Sequence, residues 1–143
     1  MLFCGGTANS KMFQNVREKE SLAYTAGSNY VRQKNNIYIR CGIEIDNYQK
    51  AVDVIKKQLE DMKNGDFEEE EVANAKKYIT SSVRMLEDEQ ASAITYFIAN
   101  ELSNSELSIN DYIDNINNVT KEEIINLAKT INLEMIYFLR DEV

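Results

Sequence analysis

Arg17 and Tyr24 stand seven positions apart in the run Met12-Phe13-Gln14-Asn15-Val16-Arg17-Glu18-Lys19-Glu20-Ser21-Leu22-Ala23-Tyr24. A guanidinium is a fixed cation whose fork of donors suits a backbone carbonyl or a carboxylate. A phenol can donate a hydrogen bond to a carbonyl oxygen that becomes negative while the carbonyl is attacked. If the run up to Glu18 is helical and Tyr24 opens a strand, both side chains can face one cleft. The same residues admit another arrangement, with Arg17 paired on the surface to Glu18 or Glu20 and Tyr24 packed on a sheet. Composition alone favours this second arrangement.

Other chemistry is more easily excluded. The sequence contains no histidine. Hydrolysis at a zinc-activated water of the H-x-x-E-H kind needs two neutral imidazoles, a third ligand and a glutamate base, so this chain by itself cannot be such an enzyme. Cys4 and Cys41 are far apart and form no C-x-x-C pair, which leaves neither a redox motif nor a cysteine-rich metal site. Gly5-Gly6-Thr7-Ala8-Asn9-Ser10-Lys11 superficially matches a phosphate-cradling loop, but Lys11 is not preceded by glycine and Met12 follows it. The four acidic residues Glu68 to Glu71 would point in four directions on a helix and there complement the macrodipole. A formal charge of -8 and a pI near 4.6 argue against phosphate backbones and anionic lipid surfaces, so neither nucleic acid nor membrane is an expected partner. There is no apolar run of membrane-spanning length, and Met1-Leu2-Phe3-Cys4 is too short and uncharged for a signal peptide, which makes the cytoplasm the default compartment.

The elements that must position Arg17 and Tyr24 follow from periodicity. Met12, Phe13 and Val16 form a short buried stripe on a helix from Ser10 to Glu18. Residues from Ser21 to Val31 suit a strand, Gln33 to Asn36 a turn, and Ile37 to Ile45 a second strand with apolar or small residues at each odd position. Asp46 and Gln49 have capping-box spacing ahead of a helix with the stripe Val52, Ile55, Leu59 and Met62, ended by Gly65. A second helix carries Val72, Ala75, Ile79, Val83 and Leu86, and the charges Glu87 to Glu89 mark a break. A third carries Ala91, Ile94, Phe97, Ile98 and Leu102. Ser108 with Asp111 and Thr120 with Glu123 open two more helices. Leu133 to Leu139 reads as a buried closing strand. The order predicts the α+β class, with an antiparallel sheet covered on one face by helices, and one domain over residues 1–143.

The segment Gly5 to Tyr24 resembles the signature of the C-terminal, non-metal-binding domain of the M16 peptidase family, which includes insulinase, pitrilysin and the mitochondrial processing peptidase. Gly42-Ile43-Glu44, the helix after Asn47-Tyr48, Asn64-Gly65-Asp66-Phe67 and Val119-Thr120-Lys121-Glu122-Glu123 follow in the family's order. The resemblance implies the LuxS/processing-peptidase-like metallohydrolase fold, incomplete here because the family's domain begins earlier with strands and a helix. It further implies a substrate-positioning role without catalysis. Arg17 and Tyr24 would support substrate and oxyanion, and Gly5 and Gly6 would contact substrate. No cofactor would be held by this chain, and zinc would sit on a catalytic M16 domain or subunit. An extended peptide would be the substrate, and an exposed sheet edge would permit self-association. A structural scaffold of the same fold and a stand-alone peptide-binding module are the alternatives.

Overall fold

In the computed structural model, residues 10–11, 13–31, 34–88, 90–102 and 107–140 are described. Two units can be distinguished. The first comprises the described residues up to Glu68 and from Lys121 onward, and the second runs from Glu69 to Thr120.

The first unit begins with a departure from the expected α-helix. Phe13–Lys19 is a π-helical segment, wound one residue wider than an α-helix. Its start is held by Ser10, whose buried hydroxyl accepts from the Phe13 amide at 3.2 Å. Val16 is fully buried (0% exposed). Asn15 donates to the buried Gln58 at 2.6 Å, fastening the segment to the helix α1 (Tyr48–Asn64). Leaving these two amides unpaired would cost more than the bond itself contributes.

The strands β1 (Ala23–Val31) and β2 (Asn36–Ile43) form an antiparallel hairpin in which Val31 faces Asn36 and Ala23 faces Ile43. The turn uses Asn35 at φ 48°, a left-handed conformation that asparagine tolerates, and Tyr30 donates its hydroxyl proton to the Asn35 side chain at 2.9 Å. The expected alternation on β2 holds: Ile37, Ile39, Cys41 and Ile43 are half-buried, while Tyr38 and Arg40 are exposed. The α+β class is therefore what the chain adopts.

A 3₁₀ turn, Ile45–Asn47, joins β2 to α1. The anticipated capping box is not made. Asn47 rather than Asp46 is the N-cap, no side chain caps the helix, and Gln49 instead bonds Asp53 at 3.0 Å. Of the expected stripe on α1, Met62 is buried and Val52, Ile55 and Leu59 are half-buried, and Ala51 and Gln58 beside them are buried as well. Gly65 ends the helix as expected, at φ 78°, where a Cβ would also lie 2.8 Å from Ile125 on helix α5 (Lys121–Thr130). Lys121 donates to the Phe67 carbonyl at 2.5 Å and lies over its ring, so α5 is pinned to the turn that follows α1.

Leu133 to Leu139 is not a buried strand. The residues have no regular structure, and Tyr137 and Leu139 are 80% and 79% exposed. Among the described residues the sheet is the two-stranded hairpin, and the run pairs with neither of its edges. Its one aromatic anchor is Phe138, stacked on Tyr48 at 4.3 Å.

The second unit contains α2 (Glu69–Asp88), α3 (Gln90–Leu102) and α4 (Ile109–Asn118), with α2 packed on both others. The helix continues through Glu87 and Asp88, and Glu89, the last of the charges at which a break was anticipated, lies outside the described residues. Ser108 and Asp111 complete a reciprocal capping box at the start of α4, whose buried residues are Ile109 and Ile113. Ile94, Phe97, Ile98 and Leu102 of α3, expected as a buried stripe, are each more than half exposed.

A candidate peptide-holding cleft

The junction from the π-helical segment to β1 breaks local rules three times within nine residues, and each break places a polar group. First, the wide turn of Phe13–Lys19 carries Arg17 onto its last turn, where the guanidinium lies 4.7 Å above the Phe13 ring. The cation is thereby seated on an aromatic face, while among the described residues its N–H groups make no hydrogen bond. The nearest approach to the Glu18 carboxylate is through Nε at 3.8 Å, longer than a hydrogen bond, with both side chains well exposed. Such a pair stabilises little.

Second, Ser21 takes φ 50°, unusual for a residue with a Cβ, and reverses the chain so that the Leu22 amide can donate to the Val16 carbonyl at 3.1 Å. This is the counterpart, one residue wider, of the left-handed cap that ends an α-helix. Leu22 and Ala23 are buried by the reversal, and Lys50 of α1 grips Glu20 at 2.9 Å just before it.

Third, β1 opens with a bulge. Ala23 faces Ile43 and Thr25 faces Gly42, so Tyr24 is an extra residue with no partner on β2. Tyr24 and Thr25 are consecutive yet both exposed, Tyr24 by 64%, as a bulge permits and a regular ladder does not. Gly42 accommodates the crowding opposite, since a Cβ there would lie 3.0 Å from the Thr25 hydroxyl.

The result is an open cleft of about 390 Å³ at the end of the hairpin away from its turn, lined by Arg17, Ser21 and Tyr24 among others. The two residues singled out by spacing thus share one cavity wall. Arg17 is near Glu18, as the alternative arrangement has it, but Tyr24 is not packed on the sheet. Gly5, Gly6 and Cys4 lie outside the described residues.

Two lining residues escaped the reading of spacing: Glu44, just past β2, and Asn47, the N-cap of α1. Counting the hairpin back from its turn would have brought Glu44 to the level of Ala23, but the bulge obscures that count. Glu44 is held by its backbone, whose carbonyl accepts from the Asn47 amide at 3.0 Å. Cys41, on the half-buried face of β2, has its thiol pushed up from the ordinary value by burial, which suppresses thiolate chemistry.

With no histidine in the sequence, and no cluster of three or more cysteine or carboxylate groups fit for a metal among the described residues, the side chains present do not suit zinc. Among the described residues no helix is long and apolar enough to cross a membrane.

A short π-helical segment, a hairpin and an open cleft lined by Arg17 and Tyr24 are the features against which known proteins can be compared. Residues 1–79, more than half of the chain, match the family model of the peptidase M16 inactive domain, and the chain belongs to that family. It is 40% identical over 136 residues to a protein of Bacillus subtilis (strain 168) described as "Probable inactive metalloprotease YmfF", a match covering 95% of this chain and 32% of that protein. A crystal structure of a conserved protein from Enterococcus faecalis V583 superimposes with a TM-score of 0.81 at 31% identity, over 90% of this chain and 30% of that one. A protease from Helicobacter pylori has the same fold, with a TM-score of 0.74 at 16% identity, over 89% of this chain and 31% of that one. The chain thus spans about a third of the length of the relatives it matches.

Proposed function

We propose that this domain positions an extended peptide for cleavage by a zinc-bearing M16 domain or subunit and performs no hydrolysis itself. The supporting observation is that Arg17 and Tyr24 line one open cleft beside strand edges that are unpaired among the described residues. An extended peptide can add to such an edge through its backbone, leaving side chains to be read by adjoining pockets. The in-plane donors of Arg17 then hold a backbone carbonyl or terminal carboxylate. Tyr24, turned outward by the bulge, donates to a carbonyl oxygen as charge gathers on it. Zinc and the activated water belong to the partner, and nothing in this chain replaces them.

The test is reconstitution with a catalytic M16 partner, comparing the unaltered chain with Arg17→Ala and Tyr24→Phe. The expected outcome is a fall in kcat/KM of roughly a hundredfold for Tyr24→Phe, the lower end of the loss when one donor to a developing oxyanion is removed, and of roughly tenfold for Arg17→Ala, which loses a charge-assisted contact to the peptide. Full activity of both variants would overturn the positioning role and leave a scaffold of the same fold as the better description.

A further inference from the structure

Two carboxylates line the cleft, Glu18 beside Arg17 and Glu44 apart from it, and holding a peptide backbone has no use for the second. Glu44 lines the wall together with Arg17 and Tyr24, is exposed, and makes no ion pair among the described residues. The neighbouring carboxylates differ: Glu18 faces Arg17, and Glu20 is held by Lys50. The backbone around Glu44 is fixed on both sides, by the end of the β2 ladder and by its carbonyl bond to the Asn47 amide. A carboxylate so placed is presented to the cavity on a rigid support. It stands beyond Ile43, opposite the start of β1, where a chain laid along the hairpin would pass the bulged Tyr24.

We infer that Glu44 selects a lysine or arginine side chain in the peptide whose backbone Arg17 and Tyr24 hold, an assignment that rests on the peptide-positioning reading above. Arg17 alone would draw acidic side chains into the cleft as readily as backbone carbonyls. An uncompensated carboxylate on the same wall repels those and attracts a cation, so the two charges divide the labour between backbone and side chain. The chain's net charge of -8 acts in the same direction at longer range, favouring the approach of basic peptides. Because the group is exposed, the discrimination is modest and falls as salt is added.

The experiment measures binding of blocked, fluorescently labelled extended peptides to the full chain by anisotropy. The peptides share a neutral sequence with Lys, Gln or Glu placed at one position in turn. At the position that faces Glu44, Lys is expected to bind about two- to fivefold more tightly than Gln, with Glu weakest, and raised salt compresses the series. Glu44→Gln should level Lys with Gln while leaving the Gln peptide's affinity unchanged, and Glu44→Lys should invert the order. Glu18→Gln should preserve the preference. If Glu44→Gln keeps the preference, or Glu18→Gln removes it, the assignment is wrong even though Arg17→Ala weakens every peptide alike and the positioning role stands. Absence of binding to any peptide overturns both.

Discussion

The junction around Arg17 and Tyr24 and the start of α4 are both short polar passages into a regular element, and they are built on opposite plans. At Ser108 the hydroxyl accepts from the Asp111 amide at 3.1 Å, and the Asp111 carboxylate accepts from the Ser108 amide at 3.2 Å, so the polar groups face each other. At the junction the winding is π-helical, Ser21 is left-handed, Tyr24 is bulged out, and Arg17, Tyr24 and Glu44 face solvent. Local rules kept throughout mark a support, and several broken together within one buried frame mark a surface shaped for something else. What holds the irregular stretch is non-local: Val16 in the core, Asn15 on Gln58, Glu20 on Lys50.

The largest effect should come from removing that non-local hold. Val16→Ala deletes two buried methyl groups and leaves a cavity under the junction, with an expected cost of about 2 kcal/mol in denaturant unfolding. If the loss is slight, the junction is not anchored from below and the contrast with α4 fails. Next comes the cap. Ser108→Ala should cost about 1 kcal/mol and raise amide exchange in α4 without changing the cleft. The hydroxyl and amide of Ser108 hold the Asp111 carboxyl below its usual range. Its contribution is accordingly complete above the ordinary aspartate value and is lost as pH falls through the lowered one. Amide exchange in α4 should rise across that acid window, and Asp111→Asn should abolish this pH dependence. The smallest effect is reserved for the cleft residues themselves. Arg17→Ala and Tyr24→Phe should each alter stability by no more than about 0.5 kcal/mol, because both side chains are exposed. A larger loss would make them structural and would sharpen the scaffold reading at the expense of the peptide-holding one.

The contrast also explains what could be read in advance. The hairpin alternation, the Gly65 stop and the Ser108 cap all depend on neighbours in sequence, and the structure contains each of them. The Asp46 cap, the burial of α3 and the closing strand depend on what lies across space, and there the pattern misleads. Leu133 to Leu139 has the composition of a strand, but strandedness belongs to a pair, and among the described residues the run pairs with neither edge of the hairpin. Arg17 and Tyr24 were legible as chemistry through their types and spacing. The π-winding and the bulge that bring them to one wall were not, because both are one-residue insertions invisible to a periodicity of 3.6 or 2. Glu44 was hidden for the same reason.

The bulge at Tyr24 has an evolutionary side. Since Ala23 and Thr25 already face successive residues of β2, losing the single codon for Tyr24 would leave a regular ladder with every other pairing intact. The phenol of the cleft could vanish in one step while the hairpin remained. A lineage carrying this domain could therefore pass from holding peptides to merely holding shape without an unfolded intermediate, and the length of β1 between Ala23 and Thr25 would record which side of that step a descendant occupies.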